Sequence, residues 1–361
     1  MSMHGSGARA FGFTGTWRDY APIAFSNLLL TIVTLGIYRF WATTRTRRYL
    51  WSRTRFIDEP LEWSGTGLEL FIGFVLVLVL FLIPFVFLQF GVQALIFQGY
   101  AGLAITLGAL AIFLLFYLSG VALFRMLRYR LSRTWWHGIR GGSDERGWGY
   151  GWSYLWRNIV GMIPFYLLVP WAMISLWNDR WNAMSFGPHP FRSSALVGGV
   201  YKRFLLFYLV PFLLVIGLIV AGVSAMPMMM DPAANPGQPP AGFWALLIIV
   251  AIVFYGVLPL IALIFYAKYM RVVIGALSLS TLDFSFDARS KDWFLLILGD
   301  IALVVCTLGI GAIFLSYRHW AFFVRHLDAS GEVSLSALTQ STTVAPGQGE
   351  GLADAFDIGA I

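Results

Sequence analysis

Three polar positions fall inside apolar stretches where charge is costly: Asn27, Asn158 and Asp300. Each lies at a similar depth in a broken apolar segment, with Asn158 one residue out of register. Polar and ionisable groups within a membrane segment are expensive to place and mark ion or substrate paths by default. Three of them on related elements could converge on one polar path through a bilayer. The competing reading is local, each residue capping a helix or bonding backbone freed where a helix breaks.

The other chemistry-bearing residues are scattered. Glu69 opens an apolar helix, where it could pair with an arginine of the preceding basic arm or complement the helix dipole. His319 and His326 stand seven apart on one helix face, short of the ligand count a zinc site needs. Met226, Met228, Met229 and Met230 could offer thioethers to Cu(I) or serve as adaptable apolar packing. There is no phosphate-binding glycine loop, no HExxH helix and no GxSxG elbow. The single Cys306 excludes an intramolecular disulfide and a cysteine-based zinc site. No acid–base or nucleophile cluster can be assembled, so no catalytic residue, metal or cofactor is assigned, and the chain reads as no enzyme.

The elements that would position these residues are membrane elements. The 361 residues are 58% hydrophobic and 12% charged, with a mean hydropathy of +0.74; soluble domains carry about 25% charged residues. Residues 1–21 lack an apolar signal core, so the first membrane segment is expected to direct insertion. The net charge of +7 sits in loops between apolar runs. It therefore reads as topology and attraction to anionic lipids, with no nucleic-acid partner.

Four runs are long enough to cross a bilayer: 68–90, 101–123, 204–223 and 243–266. Pro259 is expected to kink the last. The links within each pair, 89–100 and 226–240, carry no Lys or Arg. Three further apolar segments, 22–38, 157–177 and 293–315, are broken. The first holds 17 residues, the lower limit for a span, and runs into a basic-aromatic arm. Arg39, Trp41, Arg45 and Arg48, with Trp171, Arg318 and Trp320 in the later segments, are candidate headgroup anchors: rings settle at that depth and arginines snorkel to phosphates. Short strands are expected at 11–15, around the turn at 58–60, at 277–280 and 282–286, and at 332–338.

The chain repeats itself. An offset of 273 pairs Phe13 with Phe286, Asn27 with Asp300, and Thr34-Leu35-Gly36-Ile37 with Thr307-Leu308-Gly309-Ile310. An offset of 130 pairs Trp41 with Trp171, Trp51 with Trp181 and Pro60 with Pro190. This divides the chain into a first repeat (1–127), a second (128–270), a partial third (271–338) and an acidic, small-residue tail (339–361) expected to be disordered.

Positive loops belong in the cytoplasm. The loops on both sides of 157–177 are positive, and twenty-one residues cannot cross twice. The expected architecture is thus mainly α: a polytopic helical membrane protein with internal repeats, four spanning helices, three re-entrant or interfacial broken helices and small cytoplasmic β-hairpins. Seven spanning helices is the alternative.

The run Asn27…Thr34-Leu35-Gly36-Ile37-Tyr38-Arg39-Phe40-Trp41, then Arg48-Tyr49-Leu50-Trp51, Gly65-Thr66-Gly67 and Glu69-Leu70, resembles the YjgN-like family of bacterial inner-membrane proteins, and Phe13 and Gly15 fit its opening. The likeness implies a multi-pass protein of the bacterial inner membrane and carries no activity with it. Two functions follow as expectations: a transporter or channel for a small solute, built on Asn27, Asn158 and Asp300, or a lipid-binding, membrane-organising protein whose partners are membrane lipids, anionic ones foremost. A homo-oligomer is compatible with both.

Overall fold

A computed structural model describes residues 9–163, 165–229, 241–332, 339–344, 347 and 354. Helix dominates, and short antiparallel strands interrupt it at every return of the chain. The order opens with β1 (Phe11–Phe13), α1 (Trp17–Val33), α2 (Arg39–Ser52), β2 (Thr54–Phe56), β3 (Glu59–Pro60) and β4 (Glu62–Trp63). It continues through α3 (Gly67–Val77), α4 (Ile83–Phe97), α5 (Ala101–Arg133), β5 (Thr134–Trp136), β6 (Ile139–Gly142), α6 (Trp148–Met162), α7 (Val169–Asn182), β7 (Ser185–Phe186) and β8 (His189–Ser193). Next come α8 (Gly198–Phe204), α9 (Leu206–Met229), α10 (Ala241–Ile252), α11 (Leu258–Ile274), β9 (Leu277–Leu279) and β10 (Leu282–Phe286). The last elements are α12 (Ser290–Cys306), α13 (Leu315–His326) and β11 (Leu327–Ser330).

Among the described residues, three helical stretches are long and apolar enough to cross a membrane: Ala101–Arg133, Gly198–Gly217 and Ile248–Ile274. Gly67–Val77 and Ile83–Phe97 are shorter apolar helices. A π-helical turn, Leu78–Leu82, joins α3 to α4, and a second, Val253–Val257, joins α10 to α11. Each stands just ahead of a proline, Pro84 or Pro259. A proline ring collides with the carbonyl four residues back and offers no N–H. Widening the turn relieves that collision, and the amide preceding each proline bonds five residues back, Ile83 N–H to Leu78 O and Leu258 N–H to Val253 O. The irregularity expected at Pro259 thus takes the form of a π turn.

The strands pair in chain order. β1, β2 and β3 form one antiparallel sheet, and β4 through β11 form another, each strand bonded to the next. Both sheets lie in the first of two compact units, which holds the residues up to Ala195, Val273–Asp287 and those from Leu296 onward. The second unit, Leu196–Val272 with Ala288–Leu295, carries α8 to α10 and most of α11. There the Phe204 and Phe265 rings pack 5.5 Å apart.

Every helical excursion that leaves these sheets returns to an adjacent strand. The pair α1–α2 is closed at its base by β1 and β2, Phe11 opposite Phe56. The pair α6–α7 is closed by β6 and β7, Gly141 opposite Phe186, and α12–α13 by β10 and β11, Phe286 opposite Leu327. Likewise β4 pairs with β5 across the run 67–133, and β8 with β9 across the run 198–274.

The strands expected near 11–15, around 58–60, at 277–280 and at 282–286 are β1, β2 to β4, β9 and β10. The hairpin around 58–60 recurs 130 residues on as β7 and β8, as the repeat implies, whereas the β5–β6 hairpin and β11 were not expected. The β5–β6 turn, His137-Gly138, has both residues in the left-handed region (φ 51° and 69°), the type I′ geometry that matches strand twist. Of the strand expected at 332–338, residues 333–338 lie outside the described residues, as does the link 230–240.

Candidate functional site

The three helical hairpins end in turns built on left-handed backbone. In the first, Leu35 has φ 51° and Gly36 φ 91°; in the third, Leu308 has φ 51° and Gly309 φ 92°. The bonding is the same in both. Gly36 N–H donates to Thr31 O at 2.7 Å and Gly309 N–H to Val304 O at 2.8 Å, while Leu35 and Leu308 each donate to the carbonyl three residues back at 3.1 Å. The threonine hydroxyls receive the next free amides, Tyr38 N–H on Thr34 and Gly311 N–H on Thr307. One short run, Thr-Leu-Gly-Ile, therefore ends α1 and α12 alike: threonine accepts the orphan amide and glycine takes the positive φ. In the third hairpin the chain runs on from this turn through a 3₁₀ turn, Ile310–Phe314. The second hairpin turns instead through Phe165 (φ 49°) and Tyr166 (φ 63°).

What these turns present is apolar. Leu35 is 93% exposed, Leu308 94% and Phe165 84%, with Ile32, Val33, Ile37, Ile163, Val305 and Ile310 exposed beside them. Single exposed leucines are ordinary, but contiguous apolar surface at the end of a projecting element marks an interaction or membrane site.

Behind the turns each hairpin has a polar floor. Asn27, buried on α1, donates to Ala42 O at 3.2 Å and Thr46 Oγ1 at 3.4 Å on α2, and its Oδ1 accepts from Arg45 at 3.3 Å. Asp300, buried on α12, accepts from Arg318 Nε at 2.6 Å, and His319 Nε2 lies 2.7 Å from its other oxygen. Asn158 departs from the pattern. It donates back to Tyr154 O on its own helix at 2.7 Å, and its neighbour Arg157 reaches across to Asp179 on α7 at 2.6 Å. Asn27 and Asp300 thus bond within their own hairpins and Asn158 within its own helix.

Of the anchor candidates, Arg39, Arg45 and Arg48 are exposed on α2. Arg39 lies over the Phe40 and Phe74 rings, and Arg318 is held by Asp300. The tryptophans are more enclosed. Trp41 packs on Phe71, Trp171 faces Trp156 at 5.7 Å, and Trp320 stacks on Trp51 at 4.1 Å while donating to Thr54 Oγ1 at 2.8 Å. Trp320 therefore joins the first and third hairpins, a role its basic-aromatic neighbourhood concealed.

Glu69 meets an arginine of α5, not of the preceding arm: Arg133 at 2.8 Å, with Tyr129 donating to the same carboxylate at 2.9 Å. His326 bonds Phe322 O and His319 bonds Asp300, and among the described residues no three His, Cys, Asp or Glu side chains gather as a metal would need. Met230 and the side chains of Met226, Met228 and Met229 lie outside the described residues.

The tail, expected to be disordered from residue 339, has a defined place at 339–344 and at Asp354. Ser341 and Thr343 are buried, and Gln340 bonds both sides of the β5–β6 turn, donating to Gly138 O at 2.8 Å and accepting from Arg140 N–H at 3.3 Å. Asp354 is fully enclosed between Arg47 of α2 and Arg130 of α5. Burial works against its ionised form, yet the two guanidiniums hold its carboxyl below the usual range. No periodicity or motif announced this contact.

Long apolar helices, short antiparallel strands between them along the chain and hairpins with exposed apolar turns mark a helical integral membrane protein. The chain belongs to the family described as "Bacterial protein of unknown function (DUF898)", whose model matches residues 8–355. It is similar to proteins named "Inner membrane protein YjgN". With that of Salmonella typhimurium it shares 29% identity over 160 residues, 44% of this chain and 37% of the relative. With that of Escherichia coli K12 it shares 36% over 66 residues, 18% of this chain and 17% of the relative. These matches thus span little more than a third of the curated relatives' length at most. No solved structure matches the chain significantly. With its apolar helices, this kinship places the protein in the bacterial inner membrane.

Proposed function

We propose that the protein is a non-catalytic, membrane-organising protein that drives three helical wedges into the cytoplasmic leaflet and binds anionic lipids around them. The observation that carries this reading is the strand pairing at the base of each hairpin. Partners in an antiparallel ladder stand about 5 Å apart, whereas the hydrocarbon core is about 30 Å thick. Strands bonded to each other cannot stand on opposite faces of a bilayer, so each hairpin leaves and returns on one side.

The same reasoning gives the runs 67–133 and 198–274 an even number of crossings. Joined through its π turn, Gly67–Phe97 is long enough to serve as a fourth span beside the three long helices. Charge bias then puts the sheets in the cytoplasm. The matched turns at Leu35 and Leu308 support reading the hairpins as repeats of one unit within the divisions 1–127, 128–270 and 271–338. Arg39, Arg45 and Arg48 stand exposed behind the first apolar tip, where lipid phosphates would meet them. A transport path would need Asn27, Asn158 and Asp300 to face one another; their local bonds favour the structural role.

Native Cys306, exposed two residues before Leu308, allows a direct test. A bimane coupled to it in reconstituted protein should be quenched by lipids brominated along the acyl chain and protected from aqueous iodide. Strong iodide quenching with no effect of bromolipid would contradict insertion of the wedge.

A further inference from the structure

The C-terminal tail stands as counterion to a cluster of arginines drawn from separate elements. Asp354 offers both oxygens: Arg47 engages them through two nitrogens, and Arg130 engages one of them through Nε. The tail backbone meets two further arginines, Val344 O accepting from Arg128 at 3.3 Å and Thr343 O from Arg140. Arg128 is buried, and burial beside Arg133 and Arg128 lowers the affinity of the Arg140 guanidinium for its proton. The tail is thus held by arginines at both described places, with Arg47 and Arg130 converging on Asp354.

Two guanidiniums converging on a planar oxyanion make the arrangement that recognises phosphate as well as carboxylate. A carboxylate brings about one negative charge, whereas a phosphomonoester near neutral pH brings between one and two. The two guanidiniums stand on helices, Arg47 on α2 and Arg130 on α5, whereas the carboxylate between them belongs to the tail.

We propose that Arg47 and Arg130 form a phosphate-binding site that Asp354 occupies in cis, so that a phosphate group and the tail compete for one pair of guanidiniums. This goes beyond the wedge reading and does not depend on it. The phosphate could be free or borne on a lipid headgroup, and the two sources are separable by experiment.

The test uses the full-length protein in neutral detergent, titrated calorimetrically with inorganic phosphate in one arm and with a water-soluble short-chain phosphatidic acid in the other. Asp354→Asn removes the competing charge and should raise affinity for the phosphate at least tenfold over wild type. Adding Arg130→Gln to that variant should abolish the gain, and Arg130→Lys, which keeps charge but loses the fork, should restore only part of it. Thermal melts identify folded variants; if Arg130→Gln does not fold, Arg130→Lys carries the comparison. Gain in both arms assigns the site to the phosphate group itself, and gain in the phosphatidic acid arm alone assigns it to a headgroup. Equal affinities of wild type and Asp354→Asn in both arms, or a gain that survives undiminished in the folded Arg130 variant, would overturn the proposal.

Discussion

Replacing Gly120 by leucine should destabilise the protein by about 3 kcal/mol, the upper end of the overpacking range. Helices α5 and α6 meet there at backbone distance. A Cβ on Gly120 would stand 2.5 Å from Tyr154 Cβ and 3.0 Å from Gly151 Cα, and one on Gly151 would stand 2.5 Å from Val121 Cγ2 and 3.0 Å from Tyr117 O. Atoms fixed to backbone cannot swing aside, so the helices must part. Small residues let helices in a membrane approach this closely, and dispersion then holds them together. The control is internal to α5. Gly108→Leu adds a side chain where nothing lies within 4 Å and should change stability by less than about 0.5 kcal/mol, as surface substitutions do. Denaturation in detergent followed by tryptophan fluorescence reads both; equal effects at the two positions would show that the close approach is unimportant.

Removing the Asp300 carboxylate should have the second largest effect. Asp300→Ala leaves Arg318 and His319 of α13 without the carboxylate they share. Breaking a buried pair by deleting one member costs about 3–5 kcal/mol. The Arg318 side chain is 35% exposed, so water recovers part of this and about 2 kcal/mol is expected. Asn27→Ala at the matching position deletes neutral hydrogen bonds and should cost about 1 kcal/mol. Pairing Asp300→Leu with Arg318→Leu should recover stability relative to Asp300→Leu alone, the coupling that a double-mutant cycle isolates. Additive losses would mean that the two side chains do not stabilise each other.

Much of this was legible from the residues. The Thr-Leu-Gly-Ile run names its own turn, because only glycine takes φ near 90° freely, and its recurrence at offset 273 located two of the three hairpins. Asn27 and Asp300 stood out as matched polar groups in apolar surroundings. Their partners did not, since Arg45 and Arg318 lie 18 residues away around a turn whose geometry the sequence alone does not fix. Arg133 was hidden for a related reason: α5 continues past its apolar stretch to an arginine-rich end that reads as loop. The β5–β6 hairpin was obscured because His137-Gly138 is not the Asn-Gly turn that signals such a strand pair. Asp354 left no trace because a lone aspartate among small residues looks the same whether solvated or enclosed; only the folded arginines distinguish the two.

The topology of the second hairpin is the point on which the rest turns. With Cys306→Ser as background, single cysteines can be placed at Asp144 before the hairpin, at Ser194 after it and at Gln98 in the link between α4 and α5, all exposed. Spheroplasts are then treated with a membrane-impermeant maleimide before and after lysis. We expect position 98 to react in intact spheroplasts and positions 144 and 194 to react only after lysis. Reaction of only one of the latter two from the periplasmic side would make α6–α7 a crossing element and contradict a hairpin closed on one face.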